Sequence, residues 1–86
     1  MVASRKSHQV VCVRVAQILR EEREKRGLSM NLVAQRAGLS QQMVSYVERG
    51  MRNPTLDTLL RIATALEVDL AKIIHQAQSS GSATGK

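Results

Sequence analysis

Aromatic residues are nearly missing from this chain of 86 residues, which has no tryptophan, no phenylalanine and one tyrosine, Tyr46. Proteins that grip RNA or single-stranded DNA usually stack bases on aromatic platforms, so that class is disfavoured. Cysteine is equally scarce. Cys12 alone cannot supply a disulfide framework or a thiolate metal cluster and reads as a packed or idle thiol. His8 and His75 lie far apart, and no Cys, His, Asp or Glu group has metal-ligand spacing, so no metal or other cofactor is expected. With no glycine-rich phosphate loop and no acid–base pair in a recognisable pocket, the chain does not read as an enzyme. The apolar run Val10-Val11-Cys12-Val13 is too short to span a bilayer, and charge follows it at Arg14. An export signal is also missing, so the expected compartment is the cytoplasm, with no membrane partner. Acidic residues are few: seven Asp plus Glu against thirteen Lys plus Arg leave a net charge of +6. Such an excess favours a polyanionic partner, and with so few aromatics the candidate is duplex DNA.

What is present is concentrated between Ser29 and Gly50, in the text SMNLVAQRAGLSQQMVSYVERG. Ser29 can cap a helix over 30–37, because a serine oxygen accepts from a free N–H of the first turn. Gly38 ends that helix, since glycine enters the left-handed conformation without a Cβ clash. Leu39 then turns inward, Ser40 caps a second helix over 41–49, and Gly50 stops it. Val33, Ala34 and Ala37 share one face, Val44 and Val47 another, at helical spacing. Ala34 is small where two helices joined by so short a turn would cross. The pattern is that of a helix-turn-helix. An ordinary αα-corner without a DNA role fits the same local spacing.

The remaining chain divides simply. Residues 1–8, MVASRKSH, read as a flexible basic arm. A first helix is expected over 9–26, with Val11, Val15, Ile18 and Leu19 inward, although the β-branched run at its start could instead open as a strand. Met51 to Pro54 form a loop. A fourth helix over 55–66 turns Leu56, Leu59, Leu60, Ala63 and Leu66 inward, and Asp69 caps a fifth over 70–76. The domain is thus 9–76, and 77–86, which lack an apolar period, are expected to be a disordered tail. The fifth helix offers Leu70, Ile73, Ile74 and Ala77, more apolar surface than one small domain need bury, which suggests a homodimer interface there.

From about Val13 to Ile74 the chain resembles the phage Cro/repressor-type (XRE-like) helix-turn-helix family. The resemblance rests on LREEREKRGLS followed by VAQRAGLSQQMVSYVERGMRNPTLDTLLRIATALEVDL. Ala34, Gly38, Val44 and Val47, the ERG-x-R-N-P loop and the L-x-x-LL-x-I-A-x-AL helix all fall in register. It implies an all-α, compact five-helix, lambda-repressor-like domain that binds a palindromic operator as a dimer. Gln41 and Gln42 match positions that contact base edges, and a glutamine amide can pair bidentately with adenine N6 and N7. Ser45 and Tyr46 lie one turn further on, and one or both should face the groove. Tyr46 could touch a thymine methyl, a phosphate or a sugar, or pack beside Met43 or Met30. Arg23 and Glu48 match a partly buried family ion pair. Many members carry glutamine at the first position of the second helix, where it meets phosphate and buttresses the first recognition glutamine. Here that residue is Met30, which cannot donate a hydrogen bond. Arg52 and Asn53 are better phosphate candidates, and Arg36 is a further one.

The expected role is a sequence-specific DNA-binding transcriptional regulator with no evident small-molecule effector. The same fold also serves as a protein-interaction adaptor or as an antitoxin, and the short apolar-poor tail weighs against an antitoxin. It can also be the DNA-binding part of a larger enzyme or regulator.

Overall fold

The computed structural model describes the backbone of residues 3–51 and 53–83 and the side chains of 8–51 and 53–79. Among these, five helices are present and no strand: α1 (Ala3–Lys25), α2 (Met30–Ala37), α3 (Gln41–Glu48), α4 (Leu56–Leu66) and α5 (Leu70–Ala83). The expected all-α architecture holds. α2 packs on α3 and α4, while α1 runs beside α5 and also touches α3 and α4. The core where they meet includes Ile18 and Leu19 of α1, Val33 and Ala34 of α2, Val44 and Val47 of α3, Ile62 and Leu66 of α4 and Ile73 and Ala77 of α5.

Two outer boundaries differ from expectation. α1 is helical from Ala3, through the segment read as a flexible arm. The sequence has no glycine or proline before Gly27, and nothing in those turns opposes the helix once it is nucleated downstream. α5 runs to Ala83 rather than stopping at Gln76, through most of the stretch read as a disordered tail. Ala77 is fully buried, which carries the helix past Gln76, and further residues extend an existing ladder without a new nucleus. The expected tail residues 84–86 lie outside the described residues.

α4 turns inward a face that shares Leu59, Ala63 and Leu66 with the one expected and differs from it at Leu56 and Leu60. Ile62, Ala63, Ala65 and Leu66 are buried and Leu59 is half-buried, but Leu56 and Leu60 are 62% and 47% exposed. Residues 59, 62, 63 and 66 form the i, i+3, i+4, i+7 stripe that meets the neighbouring helices. Leu56 sits in the first turn and Leu60 at the stripe's edge.

The fifth helix requires a larger correction. Leu70, Ile73 and Ala77 are 5%, 4% and 0% exposed within the single chain, and only Ile74 is half-buried. The apolar surface assigned to a partner copy is taken up inside the chain, because α1 lies along α5 and covers it.

Candidate nucleic-acid interface

The two helices of the motif are set by local chemistry. Ser29 and Ser40 are N-caps in extended conformation, and each Oγ accepts from a backbone N–H three residues on, those of Leu32 and Met43, at 3.0 Å. Between them Gly38 takes φ +71°, and Leu39 N–H donates to the Ala34 carbonyl at 2.9 Å to close the end of α2. Arg61 of α4 adds a clamp. Its Nε donates to Asp57 at 2.8 Å and its NH1 to the Ala37 carbonyl at 3.3 Å, satisfying an acceptor that the helix end leaves open.

A Cβ at Gly38 would stand 3.2 Å from that same NH1. Gly38→Ala is therefore expected to destabilise the fold by about 1–2 kcal/mol through the left-handed backbone alone. Displacing the Arg61 guanidinium adds to that. A shift of the urea midpoint with an unchanged slope checks it.

α3 presents one outward face. Gln41, Gln42 and Arg49 are exposed on it and Ser45 and Tyr46 half-buried, while Val44, Val47 and Glu48 are buried on the other side. The outward spacing is i, i+1, i+4, i+5, i+8, one helical stripe. Two contacts run along it: Gln42 Nε2 donates to Tyr46 Oη at 2.6 Å, and Arg49 Nε donates to Ser45 Oγ at 3.2 Å. Arg49 was not singled out from the sequence, although its spacing from Ser45 and Gln41 was visible there. Met30 is half-buried against the core, and Met43 likewise. Arg36 is exposed in the last turn of α2 and Asn53 is exposed in the loop, whereas Arg52 lies outside the described residues.

The orientation of α3 is held from behind. Arg23 Nε and NH2 donate to the two carboxylate oxygens of Glu48 at 2.7 and 3.0 Å, a bidentate pair, and Arg23 NH1 donates to the Leu28 carbonyl at 2.8 Å. The side chains are 12% and 4% exposed. Hydrogen bonding to Glu48 raises the Arg23 pKa above its ordinary value, against the opposing effect of burial, so the guanidinium stays charged. Among the described residues no buried side-chain nitrogen or oxygen lacks a partner.

Charge is arranged to match. Positions 30–47 contain no aspartate or glutamate. Glu48, next in sequence, is buried and paired, and Glu22 and Glu24 are engaged by Lys25 and Arg20 of their own helix and by Arg26 just after it. The outward side of the motif thus meets an approaching anion without a carboxylate of its own.

A fold of this kind, with a short turn between two capped helices and a polar outward face on the second, defines a helix-turn-helix module. The helix-turn-helix family model matches residues 19–73. Over 57 residues the chain is 43% identical to an uncharacterised HTH-type transcriptional regulator of Mycobacterium tuberculosis, covering 66% of this chain and 40% of that protein. It is 37% identical over 62 residues to the HTH-type transcriptional regulator SutR of Escherichia coli, covering 72% and 35%. The chain thus spans well under half the length of these relatives. Among solved structures, the restriction-modification controller protein C.AhdI from Aeromonas hydrophila superposes with a TM-score of 0.68 at 40% identity, over 72% of this chain and 94% of that one. The chain belongs to the Cro/repressor-type helix-turn-helix family, a DNA-binding class of transcription regulator. Among the described residues no helix is long and apolar enough to cross a membrane.

Proposed function

We propose that this domain is a sequence-specific transcriptional regulator that binds a palindromic operator in double-stranded DNA as a homodimer, with α3 in the major groove. The observation that carries this reading is the outward face of α3, where Gln41 and Gln42 stand exposed in the first turn of a helix whose other side is buried. In that position both amides can reach base edges, Ser45 and Tyr46 deeper along the groove can add contacts, and Arg36, Arg52 and Asn53 supply attachment to phosphate. The Arg23–Glu48 pair orients the helix. The proposed compartment is the cytoplasm, and no effector or cofactor is part of the mechanism.

Two recognition helices on successive half-sites would lie about 34 Å apart, one turn of DNA. With Leu70, Ile73 and Ala77 buried in their own chain, a second copy would draw on apolar residues that remain at least partly outside, among them Ile74, Leu56 and Leu60. A sedimentation mass of two chains at tens of micromolar is expected, and a single-chain mass both free and on operator DNA would count against the dimer.

The reading is tested by affinity for selected and scrambled duplexes across a salt series. Gln41→Ala or Gln42→Ala should remove about 1–3 kcal/mol of discrimination at one base pair and leave the salt slope nearly unchanged. Arg36→Ala or Arg52→Ala should weaken both duplexes alike and lower the slope by about one unit. Binding that is weak, salt-labile and blind to sequence in the unsubstituted protein would defeat the reading and direct the search to a protein partner.

A further inference from the structure

Gln42 is a long, flexible side chain with a demanding task. To read a base pair, its amide plane must be held edge-on to the base. A freely rotating amide loses its freedom on binding, at a cost of roughly threefold to tenfold in affinity for each rotamer-rich side chain immobilised.

An orienting group stands one turn along the same helix. Gln42 Nε2 donates to Tyr46 Oη at 2.6 Å. Tyr46 is the only aromatic residue of the chain and is half-buried. Its ring is a stiff support with two torsions, against three in glutamine. An amide nitrogen carries two hydrogens, so one bond to the phenol leaves a second N–H and the carbonyl oxygen, the donor and acceptor that a bidentate pair with adenine requires. In water this exposed bond competes with solvent. In a groove from which water is displaced it strengthens.

We propose that Tyr46 is a positioning residue for base readout: its phenol oxygen fixes the amide of Gln42 from within α3. The proposal rests on the reading of α3 as the base-reading helix. It assigns Tyr46 an indirect role in specificity, distinct from a contact of its own with DNA.

Tyr46→Phe removes the oxygen and keeps the ring. The experiment measures affinity of the full chain for a selected duplex and for duplexes substituted at each base pair in turn, for the unsubstituted protein, Gln42→Ala, Tyr46→Phe and the double variant. Gln42→Ala identifies the base pair that Gln42 reads. Tyr46→Phe should reduce discrimination at that pair by about three- to tenfold, leave discrimination at the other pairs and the salt slope intact, and melt within a degree or two of the unsubstituted protein. In the Gln42→Ala background it should have no further effect. Full discrimination by Tyr46→Phe at the Gln42 pair would overturn the positioning role. An equal loss with and without Gln42 would overturn it as well, by showing that the hydroxyl acts on DNA directly. If Gln42→Ala changes discrimination at no base pair, the base-reading assignment of α3 falls first, and the positioning role falls with it.

Discussion

Glu48→Ala is expected to destabilise the domain by about 3 kcal/mol, near the lower end of the range for breaking a buried ion pair. The loss comes less from the missing attraction than from what is left behind. Arg23 is 12% exposed and stays charged, and the exposed carboxylate of Glu24, 4.0 Å from its NH2, does not replace the bidentate partner. Glu48→Gln should cost less, because the amide oxygen still accepts one of the two bonds. Replacing both residues by apolar ones is not expected to restore stability in full. Arg23 also serves the Leu28 carbonyl at 2.8 Å, and the double replacement leaves that carbonyl without its donor. Chemical denaturation of the three variants checks the order. An unchanged melting temperature for Glu48→Ala would mean that both groups are solvated in solution.

Ile73→Ala is expected to cost about 2–5 kcal/mol, the range for truncating a buried aliphatic side chain. Ile73 is 4% exposed in the single chain and belongs to the same core as Leu19 and Leu66. The measurement separates two roles for α5. A core residue lowers stability by the same amount at every protein concentration. An interface residue would leave the isolated chain untouched, and its effect would grow with concentration as the dimer fills. Denaturation midpoints of both proteins over a hundredfold concentration range are expected to differ by a constant interval.

The parts of this fold that were legible in the sequence are those set by local chemistry. Ser29, Gly38 and Ser40 delimit α2 and the start of α3 because a cap or a left-handed turn is a property of a few neighbouring residues. Longer-range outcomes were less accessible. The apolar period of 70–77 showed that Leu70, Ile73 and Ala77 must be covered, but a period does not say whether the cover is another helix of the same chain or a second molecule. Leu56 and Leu60 illustrate the same limit: α4 is apolar around much of its circumference, and only its neighbours decide which part is buried. The end of α4 at Leu66 was legible from the apolar period, but its cap was not. Its cap is Glu67 at φ 60°, a left-handed residue that is not glycine. In the candidate interface, Gln41 and Gln42 were visible as residues but their surroundings were not. The Gln42–Tyr46 and Arg49–Ser45 contacts both lie at the i, i+4 spacing, which permits such a bond without requiring it.

α2 and α3 are eight residues each. Helices so short do not persist by themselves in water and owe their existence to packing. The surface that the proposed reading offers to DNA therefore vanishes with the fold, and a chain that has lost its core keeps only the unspecific attraction of its positive charge. The coupling runs in the other direction with equal force. A ligand that binds only the folded chain, present at a hundred times its dissociation constant, deepens the folded state by about 2.7 kcal/mol. Under the proposed function, occupancy and longevity would be linked: copies seated on their sites would be shielded from proteolysis through the unfolded state, while surplus copies would be the more readily cleared.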